Sequence, residues 1–346
     1  MKRTVAAIDG RGRGLCVTEE APEVGAGLVG VQVAASLISP GTELGGVPAL
    51  RAKPDPDRPP RLFGYANAGV VVRVGAGVQR FVPGQRVACM GAGYALHTDF
   101  ACVPQNLCVA IPDELDYAEA AAAHLAATAL QAVRRAEPEF GENAMVMGLG
   151  LVGQLSAQLA QLCGCHVMAV DRLPLRARIA CDVGIERVVL AGEQDLVAAA
   201  AEFSGGYGID FGIIAFGGDA SAAFEQLRDC LTLSPDGHRM GRVVVVGGAR
   251  ISHVFAAALG NVDVRSAART GPGYHDAAYE RGAGYPPVFV PWTTQRNLAE
   301  CVRAMACRKL LIKPLLTHEF RLAQIAAAID ALVETPEQAL GVVLRP

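Results

Sequence analysis

The residues with the clearest chemistry stand near the middle of a chain of 346. Gly148-Leu149-Gly150-Leu151-Val152-Gly153 follows the apolar run AMVM and precedes the amphipathic QLSAQLAQLCG; the run HVMAV then ends at Asp171, eighteen residues beyond Gly153. Strand, glycine turn, helix, strand and acid form a dinucleotide-binding unit. Gly148 permits the tight turn, Gly150 lets backbone approach the pyrophosphate, and Gly153 lets the helix pack closely on its strand. The pyrophosphate rests on the helix N-terminus at Gly150, Leu151 and Val152, where free N–H groups and the helix dipole favour negative charge. Asp171 is placed to accept hydrogen bonds from the adenosine ribose hydroxyls and to repel a 2′-phosphate, so NAD is the expected coenzyme. Arg172, with Arg176 beside it, leaves NADP open if the loop turns. A glycine turn alone is weak, since turns use glycine for steric reasons; the flanking strand, helix and distant acid give it weight.

Much else is excluded by composition. Lys and Arg number 31 against 34 Asp and Glu, a net charge of −3 that offers no attraction to a polyphosphate backbone or an anionic membrane surface. No apolar run approaches the ~20 residues that cross a bilayer. The opening Met1 to Gly10 meets charge before a secretory core can form, and a cytoplasmic protein is expected. The ten cysteines are scattered and include no Cys-x-x-Cys pair, which reads as reduced, packing thiols rather than a disulfide framework or a structural zinc site. The phosphate-binding G-x-x-x-x-G-K-[ST], the G-x-S-x-G elbow and H-E-x-x-H are all missing.

The elements that must position these residues fall into two patterns. From 28 to 108, short β-rich runs (VGVQVAAS, GYANAGVVVRVG, GQRVACM, DFACVP) separated by Gly and Pro predict a mostly antiparallel region, with an exposed loop around Pro54, Pro56, Pro59 and Pro60. A helical period runs over 118–135. Thereafter strands predicted at 144–147, 166–170, 188–190, 211–215, 243–246 and 262–265 alternate with amphipathic helices, which implies a parallel sheet covered on both faces. Beyond Ser266 comes a Gly/Tyr/Pro-rich loop, then a helix over 298–306, a strand over 314–319, another helix and a last strand. The expected fold class is α/β, a β-rich domain plus a doubly wound Rossmann domain.

Taken together, these segments resemble the medium-chain dehydrogenase/reductase superfamily over nearly the whole chain. GYANAGVVVRVGAGVQRFVPGQRV looks like the run from that family's catalytic loop into its GroES-like β core, TDFACVP like its next strand, and IPDELDYAEAAAA like its domain junction. The resemblance implies a GroES-like catalytic domain of 1–124 and 271–346 around a Rossmann domain of 125–270, and a homodimer built by the nucleotide-binding sheets. Zinc-dependent members carry Cys-Gly-Thr-Asp and Gly-His-Glu loops; here the corresponding residues are Pro40-Gly41-Thr42-Glu43 and Gly64-Tyr65-Ala66, with His124 at the third ligand position. No zinc is expected. The loop SxISPGTE, together with Gly271-Pro272-Gly273-Tyr274, Tyr279-Glu280, Tyr285-Pro286 and the Trp292 segment, resembles a zinc-lacking subgroup of sugar or cyclitol oxidoreductases.

By that resemblance Thr42, Glu43, Tyr65 and His124 face the nicotinamide, and Thr128 lies near its carboxamide. His124 or Glu43 would act as base, His124 preferred for an ordinary pKa near ~6.5, while Thr42 and Tyr65 orient the substrate oxygen. Each has a plainer reading. His124 could be a satisfied core residue, Glu43 a helix cap or an arginine partner, Tyr65 a packing ring, Thr128 an ordinary helical threonine. His97, His275 and His318 read as structural or surface residues. The function expected is NAD-dependent, zinc-independent oxidation of a secondary alcohol, or reduction of its ketone, on a sugar, cyclitol or related polyol. The alternatives are an NADPH-dependent enone or quinone reductase and a non-catalytic dinucleotide-binding protein.

Overall fold

Six apolar runs between Asn143 and Ala267 form one all-parallel sheet in the computed structural model, which describes residues 1–346. The strand order is Arg187–Leu190, His166–Asp171, Asn143–Met147, Phe211–Ile214, Met240–Val246, Asn261–Ala267. Numbered by sequence within this unit the order is 3-2-1-4-5-6, which reverses between the first strand and the fourth. Ligands of such sheets bind beyond the carboxyl ends of the strands at that reversal. Runs such as AMVM and VVVV lack polar alternation because both faces are covered. Met145, Met168 and Val243 are fully buried against Phe224 and Leu227 of the helix Ser221–Cys230 and against Ala199 and Ala200 of the helix Leu196–Phe203.

The chain divides into two units, Thr128–Arg269 and a discontinuous one of Met1–Ala127 with Thr270–Pro346. In the discontinuous unit the strand Leu28–Leu37 is central. It pairs antiparallel with Ala66–Val74, with Phe100–Pro104 and, at its far end, with Gly341–Arg345. The last of these in turn pairs parallel with Leu316–Arg321. The helix Ile325–Val333 lays Ile325, Ala328, Ile329 and Leu332 on a core shared with Ile8, Ile38, Phe63 and Val342.

Two elements differ from the sequence reading. A hairpin of Lys2–Ile8 and Gly14–Glu20, in register from Lys2↔Glu20 to Ile8↔Gly14, precedes the expected β region. Its first strand is a nearly continuous buried run without alternation, and its turn is organised by Asp9, which accepts the N–H groups of Arg11 and Arg13 at 2.8 Å each. The helix read over 118–135 is two: Tyr117–Ala120, capped by Asp116, and Ala123–Ala136. The proline-rich stretch from Lys53 to Pro60 is exposed and irregular, and all ten cysteines are free thiols.

Candidate active site

In the unit Thr128–Arg269, Gly148 has φ +91, a left-handed conformation that a side chain strains, and its N–H is held by the Val170 carbonyl at 2.8 Å. A Cβ on Gly153 would lie 1.8 Å from the Gly148 carbonyl oxygen, whereas one on Gly150 would meet nothing within 4 Å. The helix Leu151–Leu162 therefore starts hard against its strand, with an extended Gly150 at its N-cap and no side chain capping it. Its first amides form a cradle suited to an anion.

Asp171 ends the second strand of this sheet and is 6% exposed. Its Oδ2 accepts the Leu149 N–H at 2.6 Å and its Oδ1 the Leu173 N–H at 2.8 Å, so the carboxylate ties the glycine turn to its own loop. Each oxygen keeps a lone pair for a hydroxyl donor. Arg176 approaches Oδ2 at 3.8 Å and takes the Gln154 amide on its carbonyl; Arg172 is exposed, and Thr128 is partly buried in the helix Ala123–Ala136.

In the discontinuous unit the chemistry gathers where the strand Leu28–Leu37 ends. Ser39, extended, precedes the single helical turn Pro40–Glu43, which proline opens with a φ already suited to helix. Glu43 turns back to accept the Ser39 N–H at 2.7 Å on Oε2. The same oxygen lies 3.2 Å from Nε2 of His97, and Nδ1 of His97 lies 2.9 Å from the Ser36 hydroxyl. Both ionisable groups are buried, and Oε1 of Glu43 has no hydrogen-bond partner. His97 is thus no surface residue. The backbone of Glu43 receives Arg61, whose Nη2 donates to its carbonyl at 2.9 Å.

Tyr65 stands beside this turn, its hydroxyl bonded to Ser39 and Thr42; burial first, and then the charge of Glu43, push the phenol well above its ordinary pKa. His124 packs its ring 4.3 Å from that of Tyr65 and 6.0 Å from that of Tyr274. Its Nδ1 is 2.8 Å from the Tyr65 carbonyl, which can only accept, so Nδ1 carries the hydrogen and Nε2 the lone pair of the neutral ring. Burial lowers the imidazole to about 4, opposed by the bond to Tyr65 and the charge of Glu43. The ring is neutral near pH 7. Of the four residues expected to do chemistry, the structure groups Glu43, Tyr65 and His124 and places an exposed Thr42 on the same turn.

Ser36, Ser39, His97 and Tyr274 complete the cluster without having been assigned a role from sequence. His97 sits in LHTDF, where no period marks it as a partner of Glu43, and pairing across 54 positions is a product of sheet topology. His275 stacks on Tyr274 at 3.9 Å, and His318 bonds Thr317.

The family model described as an alcohol dehydrogenase GroES-like domain matches residues 25–113, and that described as a zinc-binding dehydrogenase matches residues 152–279. The chain belongs to the medium-chain dehydrogenase/reductase superfamily. It is 26% identical over 214 residues to the zinc-type alcohol dehydrogenase-like protein YdjJ of Escherichia coli, a match covering 54% of this chain and 59% of that protein. It is 29% identical over 185 residues to (R,R)-butanediol dehydrogenase of Bacillus subtilis, covering 46% and 53%. The matches thus span little more than half the length of these relatives. Among solved structures, an Escherichia coli oxidoreductase/dehydrogenase of unknown specificity involved in membrane biogenesis superposes with a TM-score of 0.81 at 20% identity, covering 100% of this chain and 99% of that one.

Zinc is the metal for which one of these family models is described. At the positions that the resemblance matches to the zinc ligands stand Pro40, which has no donor side chain, Tyr65, whose phenol keeps its proton, and His124. No group of three or more His, Cys, Asp and Glu side chains is arranged to hold a metal ion. The donor set does not fit a three-ligand zinc site. No helix is long and apolar enough to cross a membrane.

Proposed function

We propose that this protein is an NAD(H)-dependent, zinc-independent dehydrogenase that interconverts a secondary alcohol and its ketone on a polyol, sugar or cyclitol. The observation that carries the reading is the glycine turn with its open Gly150 and the buried Asp171 at the end of the next strand. A carboxylate there favours ribose hydroxyls and disfavours a 2′-phosphate, while the guanidinium of Arg176 lies 3.8 Å from that carboxylate. Gly148, Gly150, Leu151, Val152 and Gly153 would hold the pyrophosphate, Asp171 the ribose, and Thr128 the carboxamide side, with Arg172 at the rim.

When bound, nicotinamide supplies the acceptor for the hydride. The protein's own part is the proton. Neutral His124 offers Nε2 as base, the charge of Glu43 supports the imidazolium that results, and the Tyr65 and Thr42 hydroxyls orient the substrate oxygen. The polyol class rests on the relationship to butanediol dehydrogenase and on the SxISPGTE loop. A cytoplasmic homodimer is the setting that fits such enzymes.

Calorimetric titration with NADH and NADPH, followed by assay of a panel of polyols, cyclitols and enones, tests the reading. NADH should bind at least about tenfold more tightly, a difference of ~1.4 kcal/mol. Equal or tighter binding of NADPH overturns the coenzyme assignment, and absence of heat with either overturns the dehydrogenase.

A further inference from the structure

The mechanism above uses Glu43 and His124 and leaves one buried ionisable group without a task. His97 has no exposed surface and is fixed from every side: its N–H donates to the Phe63 carbonyl, its own carbonyl accepts from Ala6, and the Phe63 ring meets its imidazole edge-on at 4.9 Å. Burial obliges both ring nitrogens to find partners, and the partners chosen fix the orientation of the ring. Here Nε2 meets Glu43 at 3.2 Å and Nδ1 meets Ser36 at 2.9 Å.

Their polarity follows from chemistry. An ionised carboxylate only accepts, so Nε2 carries the hydrogen, and in the neutral ring Nδ1 then accepts from the Ser36 hydroxyl. With the Ser39 N–H, His97 thus occupies Oε2 of Glu43 and leaves Oε1, buried and without a partner, as the free end. A buried carboxylate lacking donors would take up a proton and lose its charge. The charge matters, because Glu43 acts on both Tyr65 and His124.

We propose that His97 is a positioning residue for proton transfer: its Nε2–H keeps Glu43 charged and holds that carboxylate in place by Oε2, so that its charge can support the protonated base. The inference rests on the dehydrogenase reading for its kinetic meaning and on geometry for the rest. The titratable or charged groups facing Glu43 are His97, Tyr65 and His124, with Arg61 on its backbone.

Two amide substitutions in the full chain separate this role from packing. Gln places its side-chain N–H where His has Nε2, and Asn places its own near Nδ1. His97→Gln should therefore keep the bond to Glu43, and His97→Asn should lose it. With the alcohol that the wild type turns over best, His97→Asn is expected to lower kcat about tenfold or more while KM stays within about twofold, the signature of an interaction made in the transition state. Its acid limb of kcat against pH should move to higher pH, because the carboxylate protonates more readily. His97→Gln should keep both kcat and the limb near the wild type. Equal losses in the two variants, or an unmoved acid limb in His97→Asn, overturn the proposal.

A readout independent of turnover is the 15N spectrum of the histidine rings near pH 7. His97 should show Nε2 protonated and Nδ1 bare, and Glu43→Gln should shift the Nε2–H resonance. The opposite tautomer overturns the proposal even if the protein proves to have no dehydrogenase activity. The spectrum also decides the matter should His97→Asn not fold. A failure of coenzyme binding with the expected tautomer present sinks the function and leaves the positioning intact.

Discussion

At the scale of residues, the assignments with most at stake are His124 and Asp171. Replacing His124 by Ala should lower kcat by at least ~10², the ordinary contribution of an acid–base group, with NADH affinity unchanged in calorimetry. Unchanged turnover would move the base elsewhere, with Glu43 the first alternative. Asp171→Ala removes the partner of both the Leu149 and the Leu173 amides, and with it the acceptor proposed for the ribose hydroxyls. The expected outcome is weakening of NADH binding by about tenfold or more, with less loss for NADPH, since the repulsion of its phosphate disappears as well. Equal losses for the two coenzymes would count against Asp171 as the discriminating group. How far such residues can be read from sequence depends on how local their partners are. Asp171 lies within one strand–turn–helix–strand unit, so spacing alone exposes it. The partner of Glu43 is His97, brought to it by strands whose pairing no spacing records, and so that cluster stayed hidden.

At the scale of elements, the glycine turn separates fit from function. Gly153→Ala places a methyl group 1.8 Å from the Gly148 carbonyl oxygen, so the helix Leu151–Leu162 must move off its strand. Thermal unfolding should report a loss of about 1–3 kcal/mol, the usual range for an overfilled contact. Gly150→Ala meets no protein atom, so its unfolding should resemble the wild type while NADH binding is lost to the methyl group standing in the pyrophosphate's path. Retained coenzyme binding in Gly150→Ala would show that nothing approaches that backbone. The parallel strands were readable because burial on both faces writes continuous apolar runs such as VVVV. The hairpin of Lys2–Ile8 and Gly14–Glu20 was not, because its first strand lacks alternation and its Asp9-Gly10 pair sits in a connection running from Asp9 to Arg13 rather than in a two-residue turn. The helix expected over 118–135 read as continuous because alanine suits both the helix and the break at Ala121 and Ala122.

At the scale of the molecule, the buried histidine makes stability depend on pH. The folded protein holds His124 at about 4, below the ~6.5 of the unfolded chain, so it favours the neutral ring. Its contribution is present in full above pH ~6.5 and declines as the pH falls toward 4, where the unfolded chain takes up the proton first; the gap amounts to ~3 kcal/mol. Denaturant midpoints at pH 7 and pH 5 should therefore differ more for the wild type than for His124→Gln. Equal differences would assign the acid sensitivity to other groups. The charge balance and the two-part organisation were visible in composition and in the change of period, but which strand lies beside which was not.

The strand Gly341–Arg345 lies between Leu28–Leu37 and Leu316–Arg321, so the sheet of the discontinuous unit joins a segment made before the inserted unit to segments made after it. The inserted unit has no such wait. All six strands of its parallel sheet have been synthesised by Arg269, and it can mature on the ribosome while its host still exposes an unzipped seam beside Leu28–Leu37.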